Sequence, residues 1–169
     1  MTNSDADYVA YVQGRLPALR RLAYHLSGDS HQADDLVQET IAKLYAVWGR
    51  ISLTDGLDTY TRTTLVRVFL DEKRRGWWRV RLFGAIPERA GAPPPGVEER
   101  VLLSAALRTV PPRQQATLVL RFLHDLPVAE VARILGCSEG TVKSQTAHGL
   151  AALRRVLTEW SSPSTTVIR

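Results

Sequence analysis

The stretch FGAIPERAGAPPPGVEER, residues 83–100, sets the strongest limit on what this chain can fold into. Three consecutive prolines, Pro93, Pro94 and Pro95, sit among glycines and alanines. Each proline lacks a backbone N–H and pushes the residue before it out of helical conformation, so neither a helix nor a central strand can run through. The stretch reads as a linker, partly extended and semi-rigid. It divides the 169 residues into an N-terminal piece at 1–82, the linker at 83–97, a C-terminal piece at 98–160 and a tail at 161–169 expected to fray.

Both pieces carry helical periodicity and neither shows the alternation of a half-buried strand. In HQADDLVQETIAKLYAVW the apolar residues Ala33, Leu36, Val37, Ile41, Leu44, Tyr45 and Trp48 recur at spacings of three and four. Asp34, Asp35, Gln38, Glu39 and Lys43 fall on the opposite side, and Asp29 or Ser30 caps the start. Upstream, Leu16, Leu19, Leu22, Ala23 and Leu26 form a stripe that Gly28 ends. A third helix is expected from Thr59 through Arg75. Beyond the linker, helices are expected in VEERVLLSAALRTV, in PPRQQATLVLRFLHD, in PVAEVARILG and from Glu139 to about Leu157. The prolines Pro111, Pro112 and Pro127 suit helix first turns. The fold class is therefore all-α, two small helical domains joined by a Pro/Gly-rich linker.

The last two of these helices have helix-turn-helix spacing. Val128, Val131, Ala132 and Leu135 give the first a buried face, and Gly136 can take the left-handed conformation that ends it. The turn delivers Ser138 as N-cap, and Val142, Leu150, Leu153 and Leu157 anchor the second helix. Glu139, Gly140, Thr141, Lys143, Ser144, Gln145 and His148 lie early in that helix and off the apolar stripe. A DNA-reading helix presents these turns to the major groove, where Lys suits guanine and Gln suits adenine. The same side chains also suit a merely solvated helix, and both readings stand on spacing alone.

Charge adds a direction. The chain carries 22 Lys and Arg against 17 Asp and Glu, net +5. Residues 1–60 hold five basic and eight acidic side chains, net −3, and residues 61–83 hold seven and two, net +5. A local basic block suits a polyanion. A single cysteine, Cys137, excludes an internal disulfide and fits a reducing cytoplasm. The acidic N-terminus lacks the order of a secretory signal, and no apolar run approaches a membrane span of ~20 residues. The histidines His25, His31, His124 and His148 are scattered, so no metal or other cofactor is expected. No nucleophile–base arrangement or phosphate-cradling glycine loop points to an enzyme.

ADDLVQETIAKLY resembles the acidic signature of the extracytoplasmic-function (ECF) sigma factors, and PPRQQATLVLRFLHDLPVAEVARILGCSEGTVKSQTAHGLAALRRVL resembles their C-terminal domain. The order of acidic helix, basic helix, linker and helix-turn-helix is similar too, over about Asp7 to Leu157. The RRGWW after the basic helix resembles a small actinobacterial group. The resemblance implies that Asp35, Leu36, Gln38, Glu39 and Lys43 dock on the β′ clamp coiled coil of core RNA polymerase, with the C-terminal domain on the β flap. It implies that Ser138 to His148 read the minus-35 promoter element. Thr54, Asp58, Tyr60, Arg62, Thr63, Arg67, Lys73, Arg74 and Arg75 would then engage and melt the minus-10 element. Trp77 and Trp78 either stack on unpaired bases or pack the helix end onto its domain. Arg67 stands where many members have Asn, and Gln145 and His148 where arginine is common. An anti-sigma partner and a monomeric free state are further implications. A stand-alone helix-turn-helix repressor or activator is the alternative.

Overall fold

The first helix, α1 (Asn3–Ser27), carries Pro17 in its interior and stops at Gly28. Gly28 has φ +68 and returns its N–H to the Tyr24 carbonyl at 2.7 Å. Asp29 then caps α2 (Ser30–Val47) by accepting from the Gln32 N–H. A short 3-10 turn at Trp48–Arg50 follows, and α3 (Leu57–Phe83) begins at Gly56. The C-terminal half holds α4 (Glu99–Thr109), α5 (Pro112–Leu118), α6 (Val128–Leu135) and α7 (Glu139–Ser161). This computed structural model describes residues 3–51, 56–84 and 92–162, which contain no strand. The all-α expectation holds, as does the helix-turn-helix formed by α6 and α7.

Two helices depart from their expected limits. α3 starts two residues before Thr59 and continues eight past Arg75, ending at Gly84 with φ +65. Gly76 alone does not stop it, since one interior glycine costs only about 1 kcal/mol. The extension holds itself together: Trp77 and Trp78 meet edge to face at 5.4 Å, and the Arg81 guanidinium lies 5.1 Å above the Trp77 ring. The second departure is at the end of α5, which runs on as a π-helical segment, Val119–Leu123. The extra residue per turn is closed by His124 N–H to the Val119 carbonyl and by Arg121 donating to the Leu126 carbonyl.

The apolar stripes seen in the sequence pack in two places. Val12, Leu44 and Trp48 form a small cluster with Tyr8 and Tyr11 at one end of α1 and α2. The main core is continuous across both halves. Leu22, Leu26, Leu36, Leu65 and Phe69 from the N-terminal helices share it with Leu107, Leu120, Val131, Ile134 and Val142. Fully burying a side chain of this kind contributes about 1.5–3 kcal/mol, so the two halves stabilise each other substantially. The C-terminal turn of α1 is the meeting point. Gln115, 2% exposed, donates its Nε2 to the Leu26 carbonyl at 2.6 Å. This carbonyl belongs to the last turn of a helix, where no intrahelical donor exists. A Cβ on Gly28 would lie 2.9 Å from Ser104 Oγ and 3.0 Å from Arg108 Cδ, so α4 passes over this turn at glycine distance.

His25 of α1 and His124 after the π segment form a second polar joint, with Nδ1 and Nε2 2.9 Å apart. One nitrogen must donate and the other accept, so the pair cannot be doubly protonated. Burial, then His25, Arg62 and Arg21 nearby, lowers the His124 pKa from 6.5 to about 4. Burial, then Arg21, also lowers His25.

Two measurements follow from this packing. Gln115→Ala strands the Leu26 carbonyl in the core and should cost about 1–3 kcal/mol, read as a lower denaturant midpoint. An unchanged midpoint would show that the bond is dispensable. The second concerns pH. His124 is neutral in the fold at pH values where an unfolded histidine, with pKa near 6.5, takes a proton. Its contribution is complete above 6.5 and is lost as pH falls toward 4. The midpoint of wild type should drop between pH 7 and 5, and that of His124→Gln should drop less.

Candidate nucleic-acid and polymerase interfaces

The C-terminal site is built around the turn between α6 and α7. Gly136 ends α6 with φ +63, and the Cys137 N–H returns to the Ala132 carbonyl at 3.0 Å. Ser138 Oγ then accepts from the Thr141 N–H at 3.1 Å and lies 3.0 Å from Thr141 Oγ1. Cys137 is half-buried against the main core, as a small apolar residue. Val142 is fully buried, Leu150 and Leu153 pack beside it, and Leu157 is half-buried. With that side of α7 held down, Ser138, Glu139, Gly140, Lys143, Ser144 and His148 are exposed, and Thr141 is half-buried. Gln145 is also half-buried, since it faces a cleft rather than open solvent.

A residue that sequence reasoning missed sets the seat of this helix. Gly149 is buried, and a Cβ there would fall 3.1 Å from Leu118 Cδ1 and Cγ. The contact lets α7 lie close on α5. The available signal was a glycine inside a long helical pattern, which usually marks close backbone approach.

The residues expected to meet the minus-10 element line α3, but they are not equally free. Tyr60 and Arg67 are exposed. Thr63 is half-buried and donates its hydroxyl to the Thr59 carbonyl. Asp58 is committed to α1: its Oδ1 accepts from Tyr11 Oη at 2.9 Å and from Arg15 Nε at 2.8 Å. Burial raises the Tyr11 pKa, which keeps the phenol a donor. Asp58 therefore fastens the start of α3 to α1 in this structure. Arg62 is engaged as well, its Nη1 2.8 Å from Glu130 Oε1 on α6. Thr54 lies outside the described residues. Farther along, Arg74 pairs with Asp71 at 3.3 Å, Arg75 lies 3.9 Å from Glu39, and Lys73 Nζ sits 5.8 Å from the Phe69 ring. Trp77 and Trp78 are 54% and 48% exposed, and Trp77 lines a cleft shared with Pro111, Pro112 and Arg113.

On α2 the polar face is present with one correction. Asp35, Gln38, Glu39 and Lys43 are exposed, but Leu36 is 2% exposed and belongs to the main core. Its place in the apolar stripe puts it under the face, as a support, with no surface for a partner. Glu39 lies 3.7 Å from Lys43 and 3.9 Å from Arg75. These exposed pairs are worth about 0–1 kcal/mol each, so a partner can exchange them cheaply.

A cleft of about 590 Å³ separates the two sets of residues. Lys73, Arg74 and Trp77 of α3 form one wall, and Arg113, Gln114 and Gln145 form the other. No helix among the described residues is long and apolar enough to cross a membrane.

Comparison with known proteins assigns these parts. Residues 11–79 match the family model "Sigma-70 region 2", and residues 100–153 match "Sigma-70, region 4". The chain is 32% identical to the RNA polymerase sigma-E factor of Streptomyces coelicolor over 157 residues, covering 89% of this chain and 86% of that one. It is 34% identical to the ECF RNA polymerase sigma factor SigE of Mycolicibacterium smegmatis, over 84% of this chain and 58% of that one. A similar solved structure is the sigma factor RpoE of Bartonella quintana in complex with the anti-sigma factor NepR. Its TM-score is 0.72 at 26% identity, over 90% of this chain and 97% of that one. The acidic α2, the basic α3 and the helix-turn-helix are thus the parts of a promoter-recognition subunit, and the chain belongs to the ECF sigma factors of bacterial RNA polymerase.

Proposed function

We propose that residues 1–82 of this sigma factor dock on the polymerase clamp and open the minus-10 element, and that residues 98–160 read the minus-35 element. The observation that carries the second assignment is the orientation of α7. Its buried side is pinned by Val142 and by Gly149 against Leu118, which turns Lys143, Ser144 and His148 outward. Ser138 caps the helix but leaves other first-turn N–H groups able to hold a phosphate. Lys143 and Gln145 carry the base-edge chemistry, Glu139, Gly140 and Thr141 shape the entry to the groove, and Ser144 and His148 complete the contact. His148 and Gln145, in place of the family's frequent arginines, exchange phosphate-type charge for groups that read base edges.

Along α3, Arg62, Arg67, Lys73, Arg74 and Arg75 neutralise phosphates, so affinity falls with salt. Tyr60, Thr63 and the loop bearing Thr54 receive an unpaired base of the minus-10 element, with Asp58 fixing the start of the helix. Trp77 and Trp78 offer exposed ring faces to single-stranded bases. Asp35, Gln38, Glu39 and Lys43 meet the β′ coiled coil, and the C-terminal domain meets the β flap. The protein is not an enzyme; it works in the cytoplasm, where its polymerase is, and the polymerase carries out the chemistry. An anti-sigma factor, as found on the Bartonella quintana relative, is the expected regulator.

Two experiments test these roles. The double variant Lys143→Ala with Gln145→Ala should lose at least tenfold of its preference for the minus-35 sequence, given about 1–3 kcal/mol per base contact. Core binding should persist, and intact promoter choice would refute the assignment to α7. Glu39→Lys places a third positive charge beside Lys43 and Arg75 and should lower affinity for core polymerase. Unchanged co-purification would remove α2 as the docking face.

A further inference from the structure

The end of α3, RRGWWRVRLF at residues 74–83, differs from the rest of the helix in composition and in setting. It carries four arginines and no acidic side chain. Earlier in α3, Leu65, Val66, Val68 and Phe69 are buried, whereas between 74 and 83 Val80 alone is half-buried and the rest are exposed. Leu82 is 69% and Phe83 80% exposed, above every other large apolar residue among those described. The helix end therefore projects from the bundle and holds a cluster of apolar side chains in water. Such a cluster marks a contact surface.

The residue types are ordered along this projecting end. Leu82 and Phe83 stand at its tip. At a rise of 1.5 Å per residue, Trp77 and Trp78 lie about 7 Å behind them and Arg74 and Arg75 about 12 Å behind. Arg81 sits between, its guanidinium 5.1 Å from the Trp77 ring and 5.8 Å from the Trp78 ring. Arg74 leans on Asp71 and Arg75 on Glu39, but residues 76–84 contain no acidic side chain at all. An anionic lipid surface has matching layers: acyl chains for an apolar tip, the headgroup boundary for indole rings, and phosphates for guanidinium groups on flexible stems. Interfacial helices bury their apolar residues about 5–10 Å into that boundary, which spans the distance from the tryptophans to the tip. Four charges in this short segment keep it at the interface and out of the hydrocarbon. Single-stranded DNA would use the arginines and the rings, yet it would leave Leu82 and Phe83 in water.

We propose that the end of α3 inserts its Leu82–Phe83 tip into an anionic phospholipid surface, with Trp77 and Trp78 at the headgroup boundary and the arginines on lipid phosphates. The insertion does not depend on the promoter assignments. Where those hold, lipid and unpaired bases draw on the same two indoles, so a membrane-bound molecule is withheld from promoters.

Sedimentation of the full-length protein with vesicles is the test. It should bind vesicles of phosphatidylglycerol and phosphatidylcholine in equal parts, and not vesicles of phosphatidylcholine alone. Its tryptophan emission should move to the blue as Trp77 and Trp78 leave water, Trp48 being already buried. Leu82→Ser with Phe83→Ser should weaken vesicle binding by at least about tenfold. Both side chains are exposed, so the denaturant midpoint and the affinity for a labelled DNA single strand should match wild type. Arg79→Gln with Arg81→Gln should also weaken vesicle binding, by roughly tenfold. No binding to the anionic vesicles, or equal binding to both kinds, overturns the proposal. So does unchanged binding in the arginine variant. Binding that survives the serine variant is adsorption by charge alone and overturns insertion. If the serine variant loses the DNA strand together with the vesicles, the tip belongs to a nucleic-acid site and the lipid assignment falls.

Discussion

The buried end of α1 is the constraint on which the rest of this structure depends. A helix terminus normally shows its last carbonyls to water. Here the Leu26 carbonyl is closed over, and it accepts from a glutamine that arrives from the other half of the chain. Gly28, with φ +68, lets the Ser104 and Arg108 side chains of α4 close over this turn, where a Cβ would come within 2.9 Å of Ser104 Oγ. Because this turn is shared, the two sequence-family regions have one hydrophobic core between them.

The polar surface is organised for exchange. Glu39 touches both Lys43 and Arg75, and Arg74 leans on Asp71, all in exposed pairs with little net strength. Such contacts keep side chains ordered and soluble in the free protein, and they can be surrendered to a protein surface or to phosphates at small cost. The Arg62–Glu130 pair differs, because it joins α3 to α6 and its carboxylate is only 20% exposed. That pair therefore belongs to the joint between the two halves, while the others belong to the open surface.

Much of this was legible in the chain. Of the stripe read in α2, Ala33, Leu36, Val37, Leu44 and Trp48 are buried and Ile41 is half-buried, but Tyr45 is 54% exposed, its ring edge on Tyr8; Asp29, Gly136 and Ser138 take the cap and turn roles their chemistry suits. What periodicity cannot state is the identity of the partner that covers a stripe. Leu36 shows the cost: its place in the docking signature drew it into the candidate interface, although its apolar spacing marked it as core. Asp58, Arg62 and Gln145 carry the right chemistry for DNA, but their engagement depends on helices distant in sequence. The reach of α3 beyond Arg75 was hidden because Gly76 resembles a stop, whereas the left-handed Gly84 is the one that acts.

Gly149 has a consequence for how such a protein can change. It fixes how closely α7 lies on α5, since a Cβ would press Leu118 at 3.1 Å. The helix is thereby held at a set height and tilt, like a type slug locked in its frame. The characters on its outer face can be swapped one at a time, and each new one prints in the same place. A change beneath the helix would instead move every character at once. If α7 reads the minus-35 element as proposed, new promoter preferences can accumulate through exposed side chains such as Lys143 and His148, without the fold having to be renegotiated at each step.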